Sequence, residues 1–172
     1  MMVSPKPTVR FAVLMATYNG IAWIEEQLLS IIDQENVSVT VFVSDDMSDD
    51  GTFEKISLMA KKYKNIQILV RKKHGTPAKN FHYLLESCNF SNFDYVALSD
   101  QDDIWVFDKL YKAHSKLMAN DCDAYSSDVI AQYSSGRQKY IKKSYPIKKY
   151  DYLFESAGPG CTYVIKSIYI YE

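Results

Sequence analysis

Three apolar runs, each too short for a typical helix and each ending abruptly in polar residues, constrain this chain more than anything else in it. Val9 to Met15 runs into Ala16-Thr17-Tyr18-Asn19-Gly20, and Val37 to Ser44 runs into Asp45-Asp46-Met47-Ser48-Asp49-Asp50-Gly51-Thr52. Tyr95 to Leu98 runs into Ser99-Asp100-Gln101-Asp102-Asp103-Ile104-Trp105. Such runs read as buried strands. Apolar residues then recur at helical spacing: Ile24, Leu28, Ile31 and Ile32; Phe53, Ile56, Ala60 and Tyr63; Phe81, Leu84, Leu85 and Cys88; Leu110, Ala113 and Leu117. Ile66 to Val70 reads as a further short strand and Ala124 to Ile130 as the fifth. Alternation of this kind predicts an α/β fold, a mainly parallel sheet with helices on both faces. Ligands of such sheets sit beyond the carboxyl ends of the strands. The loops around Thr17, Asp46 and Asp102 are therefore expected to converge on one crevice.

A chain of 172 residues, 47% hydrophobic, suits one domain with a sizeable core, and 1–172 is read as such. Lys and Arg (20) nearly balance Asp and Glu (21), which argues against a nucleic-acid partner. No apolar run is long enough for a membrane span and no secretory signal opens the chain, so a cytoplasmic protein is expected. Cys88, Cys122 and Cys161 form no CxxC pair and are read as reduced thiols. His74, His82 and His114 lack ligand spacing and are left out of the site.

Asp100, Asp102 and Asp103 put three carboxylates in four residues, which repel one another unless water or a cation relieves them. A hard ion such as Mg²⁺ or Mn²⁺ takes one or two carboxylates plus substrate phosphates, so the segment suggests a nucleoside-diphosphate site. A solvated Asx-rich turn is the alternative. Asp45 and Asp46 follow a strand at the same edge, and Asp46 is expected to accept the imide N–H of uracil or thymine, which cytosine lacks. Asp49 and Asp50 read as caps of the next helix. Lys79 and Asn80 open the third helix, where they face a phosphate or are simply solvated. The basic stretch from Arg137 to Lys149 touches an anionic membrane surface or an acceptor pyrophosphate, or is an exposed loop. Gly158-Pro159-Gly160 lines a pocket or is only a turn.

Together these residues resemble a family 2 glycosyltransferase of the GT-A fold over essentially the whole chain. The resemblance rests on Ala16-Thr17-Tyr18-Asn19, Ser44 to Thr52, Lys79-Asn80-Phe81, Leu98 to Trp105, and Ser156-Ala157-Gly158-Pro159-Gly160-Cys161-Thr162. It implies that Ala16, Tyr18 and Asp46 hold base and ribose with help from Asp100, and that Asp102 binds Mg²⁺ or Mn²⁺. Thr17, Asn19, Asp45, Lys79, Asn80 and Gln101 complete the expected donor side. Asp103, Trp105, Gly158, Pro159 and Gly160 are expected on the acceptor side. Lys79 stands where many relatives carry Arg.

The motifs look most like bacterial rhamnosyltransferase-type members that build O-antigen, capsule or other surface polysaccharide. These imply an inverting transfer from dTDP-rhamnose or a UDP-sugar to a saccharide or lipid-linked saccharide, at the inner face of the plasma membrane. The family's general base is a carboxylate beyond the AGPGCT-like segment. Glu172 lies in no such motif, so the base is expected past it and the C-terminal part of the domain is expected to be missing, leaving apolar surface and self-association open. The rival reading is a nucleotide-sugar-binding fragment without transferase activity. A phosphorylated receiver fits less well, because its acidic pair would follow the first strand, where Thr17-Tyr18-Asn19 stands.

Overall fold

The computed structural model describes residues 8–146, 149–150 and 158–170. Lys148, Glu155, Ser156, Ala157 and Glu172 thus lie outside the described residues. The first half alternates as expected: β1 (Arg10–Thr17), α1 (Ile24–Ile32), β2 (Ser38–Asp45), α2 (Thr52–Lys62), β3 (Ile66–Ile68), α3 (Pro77–Ser87), β4 (Tyr95–Ser99) and α4 (Lys109–Asn120). After them come β5 (Ala124–Tyr125), β6 (Val129–Gln132), β7 (Gln138–Ile141) and β8 (Val164–Lys166).

The main sheet has the order β3-β2-β1-β4-β8-β5, with β3, β2, β1 and β4 mutually parallel. Residues Phe11 to Met15 of β1 are all fully buried, because successive side chains point into two separate cores. Phe11, Val13 and Met15 pack with Ile24, Leu28 and Ile31 of α1, Ile56 and Met59 of α2, and Leu110, Ala113 and Leu117 of α4. Ala12 and Leu14 face the other way, onto Leu84 of α3, Cys88 just past its end, and Phe90. Helices therefore cover both faces of the sheet, which is why its strands read as unbroken apolar runs.

The carboxyl half departs from expectation. The expected fifth strand, Ala124 to Ile130, is divided: only Ala124 and Tyr125 join the sheet, while Val129–Gln132 forms a separate antiparallel ribbon with Gln138–Ile141. The Asp128 carboxylate accepts from the Lys143 and Ser144 backbone N–H groups and the Tyr140 hydroxyl, fixing the ribbon's base. Gly136, at φ 79°, closes its turn. The short run Tyr163-Val164-Ile165 supplies β8, inserted between β4 and β5 and antiparallel to both. Asp49 and Asp50 do not occupy the cap of α2. That position is Gly51 in the left-handed region (φ 95°), while Asp50 accepts from the backbone N–H groups of Thr52 and Ile21.

Candidate functional site

In the order β3-β2-β1-β4, β1 has a parallel partner on either side, β2 and β4. Register sets their ends level: Thr17 pairs with Asp45, and Met15 with Ser99. Beyond these ends lies a cleft of about 430 Å³. Its walls carry Ala16, Thr17, Tyr18, Asp46, Asn80, Asp100, Gln101 and Asp102, eight residues singled out from sequence, with Lys73, Gly75, Thr76, Pro77 and Phe81.

Gln101 ties the two sides together. Its side-chain carbonyl accepts from the Tyr18 backbone N–H at 2.8 Å, and its amide donates to the Tyr18 carbonyl at 2.9 Å. Gly20 makes room for this amide, since a Cβ there would lie 2.5 Å from Gln101 Oε1. The Tyr18 ring is exposed on the cleft wall.

Asp45 and Asp46 part company. The Asp45 carboxylate is buried and accepts from Thr17 Oγ1 at 3.2 Å, from the Ser48 N–H at 3.0 Å and from Arg71 Nε at 2.8 Å. It braces the loops and does not line the cleft. Asp46 does line it, and its carboxylate accepts from the backbone N–H groups of His74 and Gly75. Asn19, in the left-handed region, accepts from the Asp49 N–H and donates its own N–H to Ser48 Oγ, so it too is a brace. Thr76 caps α3 and Pro77 opens it. Asn80 is buried at the cleft wall with its amide donating to the Ser44 carbonyl. Lys79 is exposed and outside the cleft lining.

The acidic loop is split between cleft and interior. Asp100 and Asp102 line the cleft, and neither takes part in an ion pair among the described residues. Partial desolvation, then the like charges of Asp103 and Asp102, raise the Asp100 carboxyl above its ordinary range, with Lys109 opposing. Asp103 turns the other way. Asp100, Asp103 and Cys161 bring one ligand atom each within 4.8 Å of one another. Burial and the hydrogen bond to Asp103 push the Cys161 thiol up to about 12. The oxygens that suit a hard dication are those of Asp102 and Asp100 on the cleft wall.

Lys109, at the start of α4, donates to the Cys161 carbonyl at 2.7 Å and lies 3.4 Å from the Trp105 ring centroid. Burial pushes it down to about 7, with Cys161, Asp103 and Asp100 pulling the other way.

Of the expected acceptor side, Trp105 and Gly158 are buried, Asp103 and Pro159 half-buried and Gly160 exposed. Trp105 is a core residue, 5% exposed, because α1 and α4 close over it, so its indole forms no part of an open sugar-facing wall. Gly158 is closely packed, for a Cβ would lie 3.0 Å from Ser126 Cβ. Pro159 and Gly160 form a tight turn in which the Pro159 carbonyl accepts from the Thr162 N–H at 2.9 Å. This turn backs the acidic loop through Lys109 and Cys161.

The reading from sequence missed Lys73, Gly75 and the role of the His74 backbone. The signal was the run Arg71-Lys72-Lys73-His74-Gly75 between β3 and α3, a loop that follows a parallel strand and so points at the crevice. The charge balance hid it, since that loop's cations are offset by acids elsewhere in the chain.

A Rossmann-like sheet of this order with a cleft across the ends of β1, β2 and β4 is the GT-A fold. Residues 12–170 match glycosyl transferase family 2, and the chain belongs to that family. It is 48% identical over 155 residues, 88% of this chain and 53% of the relative, to dTDP-rhamnosyl transferase RfbG of Shigella flexneri. It is 28% identical over 167 residues, 95% of this chain and 64% of the relative, to the putative teichuronic acid biosynthesis glycosyltransferase TuaG of Bacillus subtilis. The chain thus spans about half to two thirds of the length of these relatives. Among solved structures, the mannosyltransferase PcManGT of Pyrobaculum calidifontis matches the fold with TM-score 0.67 at 20% identity, over 94% of this chain and 46% of that one. Staphylococcus aureus TarS in complex with UDP-GlcNAc matches with TM-score 0.58 at 25% identity, over 67% of this chain and 33% of that one.

Proposed function

We propose that this chain is the donor-binding portion of an inverting, metal-dependent glycosyltransferase that moves rhamnose from dTDP-rhamnose to a saccharide or lipid-linked acceptor. The work is done at the inner face of the plasma membrane, in building cell-surface polysaccharide. The observation that carries the reading is the single cleft in which Ala16 to Tyr18, Asp46 and Asp100 to Asp102 meet at the ends of β1, β2 and β4. The sugar follows from the 48% identity to a dTDP-rhamnosyl transferase, with a UDP-sugar as the other donor the site accommodates.

Asp46, pre-aimed by the His74 and Gly75 N–H groups, accepts the imide N–H of thymine or uracil. The exposed Tyr18 ring gives the base an apolar face to lie on. Lys73, on the cleft wall where Lys79 is not, faces the diphosphate. Asp102, with Asp100 beside it, would hold Mg²⁺ or Mn²⁺, which when bound neutralises charge on the departing nucleoside diphosphate. The acceptor hydroxyl attacks the anomeric carbon in line as that group leaves. The hydroxyl proton passes to a general base, a role assigned to none of the cleft residues.

Calorimetry with dTDP, UDP, GDP and CDP tests the donor site, each with Mg²⁺ or Mn²⁺ and again with EDTA. Metal-dependent binding of dTDP or UDP, lost in Asp102→Ala, is the expected result. Equal binding of all four nucleotides would remove Asp46 from base selection, and binding untouched by EDTA would remove the metal. Turnover of dTDP-rhamnose with an acceptor separates a transferase from a portion that only binds donor.

A further inference from the structure

The β6–β7 ribbon projects outside the main sheet and carries a composition unlike the rest of the chain. Residues 129–150 hold six basic side chains, four tyrosines and no acid, in a protein whose formal net charge is -1. Lys139, Lys142 and Lys143 are exposed, as is Arg137 at the turn. Asp128, the carboxylate at the ribbon's base, accepts from the Tyr140 hydroxyl, the Ser144 hydroxyl and two backbone N–H groups, and among the described residues it forms no ion pair with these cations.

Aromatic and aliphatic groups accompany the charge. Ile130 pairs across the ribbon with Tyr140, so the two share one face, and they are 62% and 61% exposed. Arg137 stacks on Tyr133, Lys142 on Tyr145 and Lys149 on Tyr150, at 4.6, 5.1 and 5.3 Å from the ring centroids. Cations spread over amphipathic rings, beside an uncovered aliphatic residue, match the two layers of a bilayer surface: anionic headgroups and the acyl boundary below them. A neutral protein face would leave the cations unpaired, and a nucleic acid is opposed by the net acidic remainder of the chain.

We propose that the β6–β7 ribbon is a docking surface for anionic phospholipid membranes, with the lysines on the headgroups and Ile130 and the tyrosine rings at the interface. No helix among the described residues is long and apolar enough to cross a membrane, so the ribbon provides attachment without a span. This deepens the membrane placement in the proposed function, and it is tested without nucleotide, so a failed donor site and a failed docking surface give different results.

The test is co-sedimentation of the full chain with vesicles of phosphatidylcholine alone or mixed with phosphatidylglycerol. Binding to the mixed vesicles only, weakened by added salt, is expected. The triple variant Lys139→Gln, Lys142→Gln, Lys143→Gln should bind about a hundred-fold more weakly, at roughly tenfold or less per lysine, with its circular dichroism and nucleotide binding unchanged. Ile130→Ser, outside the charge argument, should also weaken binding. Equal binding to neutral vesicles, no binding to either, or a triple variant that binds like the parent would overturn the proposal. So would a dimer in light scattering that both variants abolish, which would assign the ribbon to a second copy.

Discussion

Asp45 and Asp46 are neighbours of the same residue type with opposite fates, and only the register of β1 against β2 separates them. Asp45, the last residue of β2, points inward to Thr17, Ser48 and Arg71, with its side chain wholly buried. Replacing it with Ala removes its bonds to Thr17, Ser48 and Arg71, leaves Arg71 the Ser48 carbonyl and the Phe53 ring, and should cost about 1.5–3 kcal/mol in chemical denaturation. Asp46→Ala should leave stability closer to the parent and abolish calorimetric binding of dTDP or UDP. Sequence patterning identified the pair but not the division of labour, because the buried partner, Arg71, lies 26 residues away and is one cation in a basic run. Lys109 offers a second test. Its folded value, about 7, lies below its unfolded one, so the unfolded chain binds more protons between these values and stability rises with pH from about 7 toward 10. Thermal melts of Lys109→Met should lack this rise relative to the parent.

At the scale of elements, β1, β2, β4 and the four helices were legible because burial on both faces leaves continuous apolar runs and helices leave a periodic stripe. The carboxyl half was not. β5 and β8 contribute two and three residues to the sheet, and their pairing is antiparallel and sequence-distant, so no local pattern announces it. Likewise nothing in Ser99 to Trp105 reveals that Asp100 and Asp102 face a cleft while Asp103 and Trp105 turn inward. That division depends on Lys109 and Cys161, the latter brought in by β8. The loops after β1 and β4 give the sharpest prediction at this scale. Gly20→Ala should displace Gln101 and, like Gln101→Ala, weaken nucleotide binding while the core and its far-ultraviolet dichroism persist. A parent-like affinity in both variants would show the bridge to be incidental.

For the molecule as a whole, two cores on the faces of the main sheet leave the cleft beyond the carboxyl ends of its parallel strands. A nucleotide at a hundred times its dissociation constant should add about 2.7 kcal/mol to unfolding, read as a raised melting temperature. The increment should vanish with EDTA or in Asp102→Ala. The family was foreseeable from the resemblance its motifs carry and the cleft from the order of elements, whereas the exposed ribbon was foreseeable only as a basic stretch. Its strands lie outside the alternation that organises everything before them.

The Gln101 amide spans the mouth between β1 and β4 with two hydrogen bonds to a single backbone unit. A gap held at fixed width before any guest arrives behaves as a gauge rather than a jaw. Nucleotide entry should then proceed in one kinetic step whose observed rate grows linearly with concentration, with discrimination between bases expressed in how fast each departs.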